Sequence, residues 1–592
     1  MALIDKASLL MVPSTYEAGK LYNVLPSGNR APDNKGGAGY DQTRADFDFD
    51  RGSNAAATRI NSSGLIEKYR ENKLLQSNNF GTTWVTAASI TRTSGQSGYD
   101  GTNDAWKIET DGSTGFDSVY QSVSISGVTT YSIYAKAGTN NILSLRSAAA
   151  VDARAFFNLS TSSVSRNSAA INASIESVGN DWYRCSMIFS ATNSLVYIYP
   201  NDFGVASAGY ILIQDAQLES GLVATDVLTS GATTAKAGVL IDLPRINYDA
   251  NGENGALLLE PSRANSHIHS EYLADSYWLK YQCSITANQA ISPDGTNNAS
   301  LFTANVSGVN VIYRSSVSYG ALSFFAKADN LSAGARFHIA VDTIGSANWN
   351  QDGTLYSQSG GLVSATDGED YGNGWYRFTY VVGSGSVQNF GLSNSTSGDT
   401  CHIWGVQSEP SASYATSYIP NHGTSGGVTR AADSCISSSL TTSTDFTIFF
   451  EAKDFCLING STGGSYDNVQ FVFSPSGGPY DGGGSYHIYG NSLYYYNGST
   501  NTSFGLIYNN QTDSKFALVK RGNQGILYAN GVKKTELTLP SGADAKVINW
   551  DAINLTSSLQ DAQGDVFGSN YKQLVKFDEA LTDSELATLT TL

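Results

Sequence analysis

The side chains best suited to binding chemistry in this chain are aromatic. Trp84, Trp106, Trp278 and Trp349 could stack on the apolar C–H faces of sugar rings. The stretch "YHIYGNSLYYYNG" adds Tyr486, Tyr489, Tyr494 and Tyr496 on an expected hairpin. A structural reading stands beside each. Trp84 and Trp278 recur at matched places in the chain, which favours core or rim packing, because large aromatics are mostly buried. The four tyrosines either form a glycan platform or fill a sheet. Trp182 and Trp375 sit mid-strand and read as structural. Arg184 and Arg377, two residues on, are expected to bond a carboxylate or a backbone carbonyl at a sheet edge.

Titratable clusters are less promising. In "DFDFD", Asp46, Asp48 and Asp50 share one strand face, opposite Phe47 and Phe49. Calcium wants oxygen ligands, but strand neighbours two apart lie about 7 Å from each other, so a solvated face is favoured. His267 and His269 have the spacing of a metal pair without a third ligand and read as surface histidines. The five cysteines (Cys185, Cys283, Cys401, Cys435, Cys456) are scattered and never in a C-x-x-C arrangement, which favours reduced, buried thiols. No metal or cofactor is expected. A glycoside hydrolase needs two carboxylates at a set separation across a cleft, and nothing nominates such a pair. The H-E-x-x-H and phosphate-loop patterns are missing as well. The chain reads as non-enzymatic, with no catalytic residue.

The elements that would position these residues are strands. Among 592 residues, Gly (59) and Tyr (34) are abundant, charged residues make up only 15%, and Ser, Thr and Asn crowd the gaps between short apolar runs. This is an all-β composition, long enough for three or four domains. A formal charge of −17 with no basic stripe argues against nucleic acid. No apolar stretch is long enough to cross a bilayer, and "MALIDKASLLMVPS" lacks the basic lead of a secretory signal. Assembly in a cytosol is expected.

A long internal repeat organises the chain. "GNDWYRCSMIF" from Gly179 returns as "GNGWYRFTYVV" from Gly372, 193 positions later. "DGTN" at Asp100 returns at Asp294, "YSIYAKAG" at Tyr131 as "LSFFAKAD" at Leu322, and "QLESGLVATDV" at Gln217 as "QSEPSASYATSYI" at Gln407. "RENKLLQSNNFGTTW" from Arg70 parallels "RANSHIHSEYLADSYW" from Arg263. A period this long means duplicated domains, and short alternating strands between Asp/Asn/Gly turns predict two-sheet jelly rolls. The expected division is a β attachment and oligomerisation segment over 1–72, a jelly roll over 73–235, and a connecting β segment over 236–265 that packs with the first. A second jelly roll over 266–430 follows, then a self-contained module over 431–592. In that last module Asn530-Gly531 and Asn497-Gly498 should tip hairpins. Thr582 with Glu585 should cap a short helix, with Leu581 stapled onto Leu586. The Gly/Pro/Asn-rich start cannot build its own core and is expected to lie against a partner surface. Deleting Met1 to Gly39 should then leave a soluble protein that no longer assembles.

"LYANGVKK" followed by "KFDEALTDSEL" resembles the C-terminal half of a concanavalin A-like, laminin-G-like jelly roll. "ENKLLQSNNFGTTW", the "GN-WYR" strand and "YATSYIPNHGTSGGVTRAAD" resemble carbohydrate-binding-type jelly rolls of bacteriophage structural proteins. "SLLMVPSTYEAGKLYNVLPS", "DFDFDRGSNAAATRINSSGLIE" and "LPRINYDANGENGALLLEPSRAN" look like parts of marine-phage fibre or decoration proteins. The resemblance implies a virion surface protein assembled in the host cytoplasm. It implies contacts with other capsid or tail subunits, a homotrimer, and weak adhesion to cell-surface glycans. The alternatives are a decoration protein that binds no sugar and a polysaccharide depolymerase.

Overall fold

Period-two alternation of apolar and polar residues becomes strand after strand. In Asp152–Asn158, for example, Ala153, Ala155 and Phe157 are buried while their neighbours are partly exposed. The computed structural model describes residues 7–17, 20–23, 47–241, 243–315, 317–437, 445–453, 469–474, 485–489, 492–496, 500–506, 514–539, 552–554 and 569–592. The fold is all-β, built of β-sandwich sheets. The α-helix Asp583–Leu589 stands alone of its kind among the described residues. It carries the expected capping box between Thr582 and Glu585, with Leu581 and Leu586 in one core cluster.

Between Val85 and Ser220, ten strands form one hydrogen-bonded sheet wrapped around a single core. Two long strands, Ser118–Ala137 and Trp182–Tyr199, pair along nearly their whole length, with a register break between Val123 and Ser126. Their first-paired ends join Val85–Ala87, Ile142–Ala148, Asp152–Asn158 and Ser163–Arg166; their other ends join Ile90–Gln96, Ala105–Thr110, Gly209–Ser220 and Ala170–Gly179.

Between Leu279 and Pro410 the same order recurs as two six-stranded sheets. One runs Leu279–Tyr281, Gly308–Arg314, Gln388–Ser395, Arg336–Val341, Gly345–Trp349, Leu355–Gln358. The other runs Cys283–Ala290, Ala299–Ala304, Thr400–Pro410, Gly320–Asn330, Trp375–Val381, Glu369–Asp370. The two copies correspond strand for strand, except that each long strand of the first is broken in two in the second.

The chain ends meet in the third body. A network of sixteen strands includes Ala7–Glu17, which pairs with Lys20–Asn23 on one side and Ser569–Phe577 on the other. Phe47–Asp50 pairs with Ser434–Ser437, and Ala256–Leu259 adds to Ser569–Phe577 through Leu257 opposite Tyr571. The expectation of a self-contained module over 431–592 is therefore corrected. Its sheet takes strands from the first 50 residues and from the connecting segment. The reason is physical: an unpaired strand edge is costly, and the early strands supply the missing hydrogen bonds within the same chain. Asn530 and Gly531 tip a hairpin with φ of 49° and 77° between Ala529 and Val532, as the Asn-Gly pair predicts. The Asn497-Gly498 turn lies outside the described residues.

Where these pieces join, five charged side chains are buried together. Glu260 accepts from Arg245 at 2.7 Å and ion-pairs with Arg430 at 3.0 Å; Asp433 pairs with Arg245 and lies 3.6 Å from Arg51. Arg51 comes from the N-terminal stretch, Arg245 and Glu260 from the connecting segment, and Arg430 and Asp433 from the exit of the second copy. The network pins all three to one another.

Candidate functional site

The repeated phrase Gln-x-Glu…Ala-Thr is a latch. In the first copy, buried Glu219 accepts from the Thr225 N–H at 2.9 Å, the Thr225 hydroxyl at 2.5 Å and Gln217 Nε2 at 2.6 Å. Gln217 Oε1 in turn accepts from the Leu228 N–H at 2.7 Å. The second copy repeats it: Glu409 accepts from Thr416 N–H (2.8 Å), Thr416 hydroxyl (2.6 Å) and Gln407 Nε2 (2.7 Å), and Gln407 Oε1 from Ile419 N–H (2.6 Å). A buried carboxylate must have its oxygens satisfied. These donors satisfy it and fold the following loop back over the sheet as a rim.

Beneath each rim lies the arginine of the Trp-Tyr-Arg run. Arg184 bonds the Thr225 carbonyl, lies 3.4 Å from Ser132 Oγ and sits over the Tyr134 ring at 5.5 Å. Arg377 donates to Ser323 Oγ at 3.0 Å and sits over Phe325 at 5.4 Å. Glu176 and Glu369 face them across the strand pair. In both arginines the buried Nε has no hydrogen-bond acceptor. The carbonyl expected for Arg184 is thus found; Arg377 bonds a serine hydroxyl, with the Glu369 and Glu409 carboxylates close enough to raise its pKa.

Each arginine lines a cavity. The one at Arg184 measures about 880 Å³, bounded by Asn172, Ser174, Ser186 and Ile188 on the sheet, the rim 219–226, and residues of the second copy including Asn288 and His422. The one at Arg377 measures about 440 Å³, with Thr379 and Val381 on its floor and the rim 413–418. Both fall in the range of ligand pockets. Polar donors and acceptors next to small apolar patches are what a sugar, with its hydroxyls and C–H faces, can use.

Most of the aromatic candidates are elsewhere. Trp84, Trp278, Trp349 and Tyr486 are at most 3% exposed and belong to the cores of the three bodies. A ring enclosed on both faces cannot stack on a sugar, so these four are struck from the sugar-binding candidates, and the packing reading favoured for Trp84 and Trp278 holds. Trp106 is half-buried against Phe80, its Nε1 donating to the Asn78 carbonyl at 3.0 Å. Tyr494 and Tyr496 are half-buried on Ser492–Tyr496; the side chain of Tyr489 lies outside the described residues. None of the eight lines either cavity. Trp182 and Trp375 are buried, as expected. The reading of His267 and His269 as surface residues is also corrected. His267 is fully enclosed, Nε2 at 2.9 Å from Gln388 and Nδ1 at 3.2 Å from Tyr277, and its burial pushes its pKa down to about 3. Cys185, Cys283 and Cys401 are free and buried, and Cys435 is buried; Cys456 and Asp46 lie outside the described residues. No group of metal-ligating side chains is present among the described residues.

One buried carboxyl of the first jelly roll is strained electrostatically. Burial, reinforced by Asp104 and Asp100, pushes Asp215 up to about 6, against the hydrogen bond donated by Tyr99 at 3.1 Å. A carboxyl whose pKa rises on folding favours the fold below its unfolded value and loses that contribution as pH climbs through 6. Stability should therefore fall by about 1–3 kcal/mol between pH 4 and pH 7 from this group, at 1.36 kcal/mol per unit. Asp215→Asn should remove that slope, read from denaturation midpoints across the range. An unchanged slope would place the charge elsewhere.

No protein-family model matches the chain, and no curated protein matches it. Solved structures that it is similar to include the CBM40 of the Ruminococcus gnavus IT-sialidase bound to alpha2,3 sialyllactose. That match is 16% identical, spans 26% of this chain and 85% of the other, and has a TM-score of 0.20. The CBM22-1–CBM22-2 tandem domain of Paenibacillus barcinonensis Xyn10C matches 61% of this chain and 99% of its own at 10% identity, with a TM-score of 0.20. A mutant Trypanosoma rangeli sialidase displaying trans-sialidase activity matches 91% and 97% at 10% identity, with a TM-score of 0.19. At TM-scores this low, none of the three fixes a function for this chain.

Proposed function

We propose that this chain is a non-enzymatic structural protein of a bacteriophage virion, a fibre or surface appendage whose first jelly roll holds a glycan in the cavity at Arg184. The observation that carries the binding role is the cavity itself. It is of ligand size, has an unmet buried donor on Arg184, and has hydroxyl and amide side chains along its floor. The virion role rests on the resemblance of the sequence phrases. With it go a homotrimer, neighbouring capsid or tail subunits as partners, and a virion-surface location after assembly in the host cytoplasm. In this reading the chain divides as 1–72, 73–235, 236–265, 266–430 and 431–592, the sheet of the last completed by strands of the first 50 residues and of the connecting segment. The non-enzymatic reading is supported by how the cavity's inner carboxylates are engaged. Glu219 is held by the latch, and Glu271 ion-pairs with Lys68 at 3.1 Å, as does Asp294 at 2.6 Å. Each single site would be weak, and several copies per particle would multiply the avidity.

A second reading, a decoration protein that binds no sugar, draws support from the burial of Trp84, Trp278, Trp349 and Tyr486, which removes those four rings as sugar platforms. A glycan array probed with the whole protein and with Arg184→Ala separates the two. The expected result is binding to some glycans and at least a tenfold loss in the variant, with an unchanged melting temperature. Absence of any binding would favour the decoration role, and binding indifferent to Arg184 would move the site.

A further inference from the structure

The hairpin of Thr58–Ile60 and Ile66–Lys68 drives a lysine into the flank of the second jelly roll. Ile66 donates its N–H to the Pro293 carbonyl at 2.9 Å and packs among Phe325, Trp375, Trp404 and Tyr418. That anchor, two residues before Lys68, fixes where the lysine points. Its ammonium lies 2.6 Å from Asp294 Oδ2, 3.1 Å from Glu271 Oε1 and 5.7 Å from the centre of the Trp404 ring. The side chains of Asp294 and Glu271 are only 2% and 1% exposed.

The two oxygens of Asp294 are held differently. Oδ1 accepts from the Ser292 hydroxyl at 2.8 Å, the Thr296 N–H at 2.8 Å and the Thr296 hydroxyl at 2.7 Å. Oδ2 faces the lysine and accepts from Asn298 Nδ2 at 3.2 Å. Asn298 Nδ2 also donates to Glu271 Oε2 at 3.0 Å, and the Tyr418 hydroxyl donates to Glu271 Oε1 at 3.1 Å. A nitrogen, a carboxyl carbon, a pocket of donors and a second carboxylate are thus in contact. Burial opposes the charge on Lys68, but Asp294 and Glu271 outweigh it and keep the ammonium protonated at rest. Burial likewise opposes the charge on Asp294, and Lys68 keeps it ionised. The same burial penalises both charges relative to a neutral product.

We propose that Lys68 and Asp294 join in an intramolecular isopeptide bond, formed once by the folded chain itself. The ammonium passes one proton to Asp294 Oδ2, and the freed amine attacks Cγ. Charge develops on Oδ1, where the donors of Ser292 and Thr296 already point. Glu271 takes a second proton from the nitrogen and delivers it to Oδ2, which leaves as water. Of the three ammonium protons, one stays on the amide and two leave with the water, so no outside reagent is needed. Groups held in contact react as if at very high concentration, which replaces chemical activation of the carboxyl. The bond closes a covalent loop around the whole first jelly roll. Tension along the chain then passes from residue 68 to residue 294 without loading that module.

Mass spectrometry of the purified full-length protein tests this. The expected mass is one water below that of the sequence, and proteolysis should release the peptides of Lys68 and Asp294 as one joined species. A single cut between 69 and 293 should leave the two pieces together on a denaturing gel. Lys68→Arg keeps the positive charge and Glu271→Gln keeps the shape; each is expected to fold and to show the full sequence mass. A wild-type mass equal to that of the sequence overturns the proposal, and the three side chains are then an ion-pair network alone. So does a lost water with residues 68 and 294 on separate peptides, since Asp294 before Gly295 would then have closed on its own backbone as a succinimide. Loss of ammonia with Lys68 joined to Asn298 overturns the choice of Asp294, and a bond that survives in Glu271→Gln overturns the role of Glu271.

Discussion

Asp433→Ala is expected to lower the unfolding free energy by about 3–5 kcal/mol, the cost typical of breaking a buried ion pair from one side. Asp433 and Glu260 are the two carboxylates of the network that face the guanidiniums of Arg51, Arg245 and Arg430, all buried. Burial, reinforced by the neighbouring Arg245 and Arg430, pulls Arg51 down to about 10 against the pull of Asp433. Removing Asp433 leaves Arg245 with Glu260 as its remaining ion partner and Arg51 without its own, at the junction of three segments. Glu260 adds a pH signature. Burial would raise its carboxyl, but Arg430, Arg245 and the donors of Ser417 overcome that and hold it at about 2. A depressed carboxyl contributes stability above its unfolded pKa and loses it as pH falls. Roughly 3 kcal/mol should therefore disappear between pH 4.5 and pH 2. Chemical denaturation of the wild type and Asp433→Ala at several pH values checks both statements. A loss under 1 kcal/mol for Asp433→Ala would mean that water reaches the network and solvates the arginines.

Deleting residues 1–23 is expected to unfold the C-terminal sandwich while leaving both jelly rolls intact. The deletion removes the strand paired through Leu10 with Val575 and Met11 with Leu574, and bares one edge of Ser569–Phe577. A long bare edge recruits other chains, so the truncated protein should also aggregate. Hydrogen exchange gives the readout: amides of 569–577 should lose protection while those of Trp182–Tyr199 keep it. Retained protection over 569–577 would show that the sandwich closes without the first strand. This replaces the sequence-based expectation that a protein lacking its first 39 residues stays soluble and fails only to assemble.

The duplication was legible because its signals are local: a six-letter phrase, turn residues and alternating strands survive in both copies at constant spacing. So were the capping box and the Asn530-Gly531 hairpin, each decided within a few residues. The cavities at Arg184 and Arg377 were not. Arg184 looked like an edge residue because its cavity forms only when the rim after Glu219 folds over it and a second module closes the far side. The tryptophans stayed ambiguous for the opposite reason. Residue type marks an aromatic as useful both in a core and against a sugar, and only burial separates the two. Nothing local could show that Ala7–Glu17 pairs with Ser569–Phe577, since a strand's pattern records which face is apolar and not which distant strand it will meet.

That last pairing sets a clock. Ribosomes add about 5–20 residues per second, so the opening strand waits roughly half a minute to two minutes before its partner near Phe577 exists. The jelly rolls, whose strands are all made in between, can fold during the wait. The first strand cannot, and neighbouring nascent chains on one message carry the same unpaired strand. Closure of the third body therefore comes after both jelly rolls have been made, and at high local concentration it becomes a competition between a chain's own strands and those of its neighbours. A strand exchanged at that moment joins two chains by the same hydrogen bonds that would have closed one, so the oligomeric state becomes a matter of timing as well as of interface.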